Sequence, residues 1–132
     1  MRSYYIANNS VERPGWPALR VKTLTEAAGA AQFRDEEIVP GVEDLQVEFV
    51  VARADAGARR LKYVAPGVAL AADDRVVAVR MWLRIRADIT EPGYQDDSAL
   101  SYANVHFTPS PTEARQRRTL IERTVALRNL SP

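Results

Sequence analysis

The run Val76–Arg86, VVAVRMWLRIR, constrains this chain more than any other stretch. Val77, Val79, Met81, Leu83 and Ile85 alternate with Arg80, Trp82, Arg84 and Arg86. A helix would scatter those apolar residues around its circumference, whereas an extended strand puts all of them on one face. At about 3.4 Å per residue such a strand spans on the order of 35 Å, long for a globular protein. The pattern predicts a strand at the centre of a sheet with its apolar face turned inward. On that reading Leu83→Ala or Phe49→Ala removes core packing and costs about 2–5 kcal/mol. The other face carries Arg80, Trp82, Arg84 and Arg86. Arg and Trp are enriched where proteins bind one another, so these residues, with Tyr94 in the following loop, are candidates for partner contact. The alternative is that this face is solvated or covered by the chain's own loops.

The remaining elements follow from the same reading. Leu45, Val47, Phe49 and Val51 alternate with Asp44, Gln46 and Glu48 after a Pro40-Gly41 turn, which predicts a second scaffold strand close to Val76–Arg86. Tyr4–Ala7 and Leu19–Thr23 read as an antiparallel pair joined by a Pro- and Gly-rich linker. Thr25–Asp35 has no apolar period of either kind and is expected to be a loop with at most one helical turn, Phe33 pinning it to the core. Glu36–Val39 reads as a short strand before the turn. Ala54–Arg60 has the composition of a hairpin loop, returning through Leu61–Val64. Asp88–Ser98 is a long loop, Tyr102–Phe107 a strand, and Arg118–Arg128 a last strand with Arg123 interrupting its apolar face.

Length and charge narrow the function classes. A chain of 132 residues suits one domain with a single core. Its 18 basic residues face 17 acidic ones, and neither half is a charged tail, so no bulk attraction to nucleic acid is expected. The absence of cysteine removes disulfides, thiolate metal sites and a Cys nucleophile together. No apolar run reaches the roughly 20 residues that a membrane helix needs.

Candidate chemistry is sparse. His106 is the single histidine, and between Val105 and Phe107 it projects to the far side of its strand, a surface position without a recognisable partner. Glu91, Asp96 and Asp97 could offer hard oxygens to a calcium ion, although their spacing is not that of an EF-hand. Arg115, Arg117 and Arg118 form a small basic cluster that reads as a solvated strand entry. Phosphate loops, nucleophile elbows and zinc-helix motifs are missing from the sequence, so no catalytic residue and no cofactor is expected.

One resemblance goes further. Glu37–Phe49, EIVPGVEDLQVEF, looks like a characteristic segment of the PilW family of type IV pilus minor pilins. Val76–Arg86 is similar to that family's long central strand, Tyr4–Ala7 to the strand opening its globular part, and Thr124–Asn129 to its C-terminal end. Gly41, Val42, Glu43, Asp44, Leu45 and Gln46 are the diagnostic core and are expected to be structural. The resemblance implies an α+β pilin-like headgroup, here mainly β, as one domain over residues 1–132 with an antiparallel sheet of about six to eight strands. Family members carry a prepilin leader and a long apolar N-terminal helix; neither precedes Tyr4, which implies a headgroup starting at an engineered Met1, soluble and monomeric by itself.

The implied role is structural and not enzymatic. The chain would join other minor pilins and a tip adhesin-like protein in a priming complex, supporting pilus assembly, adhesion and twitching motility. It would bind no nucleic acid, and it would move from an inner-membrane precursor to the pilus at the cell surface. Two other readings stand beside it. One is a J-type minor pseudopilin of type II secretion, a group with known calcium sites. The other is a free-standing ligand-binding β domain using Trp16, Trp82 and Tyr94.

Overall fold

The computed structural model describes residues 1–27, 29–55 and 58–128. In chain order the strands are β1 (Arg2–Ala7), β2 (Ala18–Ala27), β3 (Ala30–Pro40), β4 (Val42–Asp55), β5 (Ala58–Val64), β6 (Asp74–Arg86), β7 (Leu100–Tyr102), β8 (Val105–Phe107) and β9 (Arg118–Ala126). A 3-10 turn over Glu113–Arg115 precedes β9. All pairings are antiparallel, as the alternation and short connections require. The protein is mainly β. Its strands divide into three sheets, β1-β2-β3, β5-β4-β6-β9 and β7-β8, where one sheet of about six to eight strands was expected.

The run at 76–86 is interior to the four-stranded sheet as expected, with β4 on one side and β9 on the other. Leu45 faces Leu83, Val47 faces Met81 and Phe49 faces Val79 across β4 and β6, while Val125 and Ile121 face Val79 and Leu83 across β9. The β1–β2 pair also forms, with Tyr4 opposite Val21.

Three local readings change. Thr25–Asp35 is not a loop: Leu24 pairs with Phe33 and Thr25 with Gln32, so β2 and β3 are the arms of a hairpin. Phe33, expected to anchor to the core, is 62 % exposed. A hairpin held by backbone pairing with neither face buried carries no apolar alternation, which is why the sequence conceals it. Tyr102–Phe107 is not one strand but a tight hairpin, reversing at Ala103, where φ is +48°. Pro40-Gly41 does not fold β3 back on β4. Gly41 is the corner at which the chain leaves one sheet for the next, its N–H donating to Pro17 O at 2.7 Å and its carbonyl accepting from Arg86 N at 2.8 Å. Its φ is +83°, and a Cβ there would meet Arg86 O at 2.8 Å, so both conformation and space call for glycine. The tip of the 54–60 hairpin, Ala56 and Gly57, lies outside the described residues.

The largest correction concerns which face of the four-stranded sheet is inside. Trp82 is 3 % exposed, and Ala78, Val50 and Ala52 on the same face are also buried. The apolar face is open along its middle and its β9 side: Leu45, Val47, Phe49, Val79, Met81, Leu83, Ile85 and Ile121 are half-buried, and Val125 is exposed. Among the described residues there is no α-helix to lie across it. At the β5 end of this face Val51 and Val64 are buried, Val51 beside its cross-strand neighbour Lys62 and Val64 opposite Phe49. There Lys62 Nζ and Arg53 Nε reach Asp74 at 2.6 and 2.9 Å.

Candidate functional site

The buried polar face begins at a bulge. Val42 pairs with Ile85 and Asp44 with Arg84, which leaves Glu43 as an extra residue in β4. A bulge of this kind breaks the strict alternation, so Glu43 and Asp44 both reach the arginine side of the sheet. Arg118 Nε and Nη2 grip the Glu43 carboxylate at 2.8 and 3.0 Å, and Arg84 Nε donates to it at 3.1 Å. Arg86 Nε stands 3.6 Å from Glu43 Oε1. These side chains are largely covered: Glu43 is 10 % exposed and Arg118 7 %. Arg118 also donates to the carbonyls of Glu113 and Gln116, fastening the 3-10 turn to the sheet. One carboxylate thus joins β4, the end of β6 and the start of β9. Paired, hydrogen-bonded guanidiniums are the form in which charge can be buried.

Asp44 builds the next layer. It accepts from Tyr102 Oη at 2.7 Å and from Gln46 Nε2 at 2.9 Å, while Arg84 Nη1 donates to Tyr102 Oη at 2.9 Å. Burial, and then the hydrogen bond to Asp44, push the Tyr102 phenol well above its ordinary range, so it stays a donor. The Arg84 guanidinium lies 3.7 Å from the centre of the Phe107 ring, with Arg118 5.3 Å away. The β7–β8 hairpin is thereby clamped onto the sheet. Further along, Trp82 Nε1 donates to Glu122 at 3.0 Å and Arg80 pairs with the same carboxylate at 2.6 Å. The hydrogen bond from Arg80 holds Glu122 below the usual carboxylate range. Arg80 also lies over the rings of Trp82 and Tyr63.

Beside this cluster opens a cleft of about 530 Å³, walled by Arg13, Trp16, Arg86, Thr90, Arg115 and Gln116 among others. Arg13 and Arg86 stack on Trp16 at 4.3 and 4.2 Å from its ring centre. A smaller hollow of about 260 Å³ shares Thr90 and Arg115 and is lined by Glu91 and Tyr94.

A family model for the type IV pilus-assembly protein W, PilW, matches residues 3–129, nearly the whole chain. The chain belongs to the PilW family. No curated protein and no solved structure gives a significant match. Membership makes the chain a component of type IV pilus assembly, working with other pilus components in the periplasm or at the cell surface. The segment 41–46, singled out in the sequence, acquires a physical meaning here. Gly41 makes the corner, Val42 is fully buried behind it, Glu43 and Asp44 hold the arginines and Tyr102, and Leu45 and Gln46 continue onto the two faces.

The other residues singled out in the sequence scatter. Arg84 and Arg86 are turned to Glu43 and Trp82 is covered, while Arg80 keeps a more open position at the sheet surface. Tyr94 sits in the long loop under Arg117, which grips Glu91 through two bonds at 2.6 and 2.9 Å. That hydrogen bonding draws Glu91 below its ordinary range. Asp96 accepts from Ser98 N and Tyr94 Oη, so Glu91 and Asp96 are occupied separately, and Asp97 beside them is exposed. Among the described residues no three metal-ligating side chains come together. His106 is exposed and lies 2.8 Å from Ser101 Oγ, its cross-strand neighbour. The basic cluster at 115–118 does not act as one patch. Arg115 lines the cleft, Arg117 pairs with Glu91, and Arg118 is buried on Glu43. Tyr102 and Phe107 are the residues that sequence reasoning missed, and Arg118 it read only as part of a solvated strand entry. Arg118 lies 75 positions from Glu43, and only the topology brings the two together.

Proposed function

We propose that the chain is the globular head of a minor pilin that acts in a minor-pilin complex priming the type IV pilus at its tip, supporting adhesion and twitching motility. The observation that carries this is the open apolar face of β4, β6 and β9. Leu45, Val47, Phe49, Val79, Met81, Leu83 and Ile121 form a continuous half-buried surface on the interior strands β4 and β6 and the edge strand β9. Such a surface is stable in water only at a cost, and a helix with an apolar stripe is its natural cover. In the pilin plan that cover is the long N-terminal helix, giving an α+β head, an inner-membrane precursor and later a place in the pilus core. The role is structural and non-catalytic: the buried arginine layer keeps the head rigid while neighbouring minor pilins and a tip adhesin-like protein dock on its exterior.

The test uses the full-length precursor. Met81→Glu with Leu83→Glu should leave the head folded by circular dichroism and abolish surface piliation, because the helix loses its seat. Unchanged piliation would sink the proposal. Co-purification with other minor pilins, read by native mass spectrometry, should give a hetero-complex for the native chain, whereas the head alone should sediment as a monomer.

A further inference from the structure

We propose that the cleft beside Trp16 binds a carboxylate side chain presented by an acidic segment of a partner protein. Its walls carry the guanidiniums of Arg13, Arg86 and Arg115 and one carboxylate, Glu113. Glu113 is already engaged, accepting from Ser110 N at 2.9 Å and lying 3.9 Å from Arg118. Glu43, the anion nearest Arg86, is gripped by Arg118 and Arg84. Arg86 Nε is buried 3.6 Å from Glu43 Oε1 and makes no hydrogen bond. The Arg115 side chain is exposed and makes no hydrogen bond or ion pair among the described residues. The cleft therefore carries three guanidiniums against one carboxylate, and that carboxylate is already engaged.

Orientation is fixed from two sides. Arg86 is stacked on Trp16, whose N–H donates to Arg13 O at 3.2 Å and whose carbonyl accepts from Ser10 N at 2.6 Å. Arg13 also lies over the ring, 4.3 Å from its centre, and donates to Asp88 O at 3.2 Å. The planar guanidinium fork matches a carboxylate. An extended polyanion is a poorer fit. The chain has a net charge of +1, and the remaining nearby arginines, Arg84, Arg117 and Arg118, are paired with carboxylates, so no continuous basic track leads away. The cleft is separate from the open apolar face, so the inference does not depend on the helix reading.

The test titrates the folded chain with an N-acetylated, C-amidated Gly-Glu-Asp-Glu-Gly peptide. The readouts are the ¹⁵N resonances of the arginine Nε–H groups and the Trp16 indole. The acidic peptide should shift both, and about 0.5 M salt should remove the effect. Arg115→Glu should weaken binding about tenfold or more without moving the unfolding midpoint, and Arg123→Glu on the opposite sheet face should leave it unchanged. Equal binding of the Gln/Asn counterpart peptide, or undiminished binding to Arg115→Glu, would overturn the proposal. Equal shifts with inorganic phosphate would mark a general anion site and overturn the protein-segment assignment. Absence of shifts up to about 1 mM peptide, weaker than a useful transient contact, would do the same.

Discussion

The two faces of the four-stranded sheet are built from the same strands and solve opposite problems. One face carries Glu43, Asp44, Arg84, Arg86, Arg118 and Trp82 and is the better covered. The other carries Val47, Phe49, Val79, Met81, Leu83 and Ile121 and remains half-open. Hydrophobic patterning alone assigns them the other way round. The difference teaches that alternation reports which residues share a face, whereas coverage depends on what the rest of the chain lays over it. Here the long segment between β6 and β9 returns over the polar face, bringing Tyr102 and Phe107 onto the arginines. Buried charge is tolerated there because each guanidinium finds a carboxylate or an aromatic ring.

The hardest way to break this contrast is Glu43→Gln. It leaves Arg84, Arg86 and Arg118 clustered without their shared anion, and breaking a buried ion pair costs about 3–5 kcal/mol. Urea denaturation should show a loss of that size. A change below about 1 kcal/mol, the level of an exposed pair, would mean that the cluster is solvated. Neighbouring residues give the sharpest comparison. Trp82→Ala should cost about 3–5 kcal/mol. Leu83→Ala, one residue away on the open face, should cost only about 1–2 kcal/mol, since roughly half of its transfer energy is realised. Equal losses would show that both faces are covered.

The β5 end of the open face offers a pH test. Asp74 is held down to about 2 by its hydrogen bond from Lys62 first, then by the Ala71 amide and by Arg53. Its folded value lies below the unfolded 3.8, so its contribution is fully present above that value and is lost as pH falls toward 2. The thermal midpoint of the native chain should therefore exceed that of Asp74→Asn at pH 6, and the gap should close between about pH 4 and pH 2. A constant gap would mean that another property of the side chain is responsible.

Strand positions were legible where one face differs from the other, as in β4 and β6, and the neighbouring placement of these strands followed from their length and apolar content. The β2–β3 hairpin was not legible, since Leu24 and Phe33 are both exposed and leave no period to read. Nor was the ion cluster. The arginine face of β6 read either as partner contact or as solvated or loop-covered, and Arg118 as part of a solvated entry, until the register placed Arg86 opposite Arg118 and Arg84 beside Asp44. The segment at 41–46 was recognisable as a pattern, but its reason is three-dimensional. Glycine is needed to pass Arg86 at a corner, and the bulge turns two successive acids to one side.

The smallest expected effect on stability is also the most discriminating. Val125 faces Val79 on the open face and is 49 % exposed, while Thr124 beside it is exposed on the polar face. Val125→Lys and Thr124→Lys should each stay within about 0.5 kcal/mol of the native chain, as surface substitutions do. They should differ in what the surface can bind. A lysine among Val79, Met81 and Ile121 interrupts the apolar surface and should lower the binding of a hydrophobic dye or of an added apolar helical peptide. The same charge at Thr124 should leave that binding unchanged. Should both variants bind alike, the half-open face would not be a binding surface, and the asymmetry of the sheet would reflect packing alone.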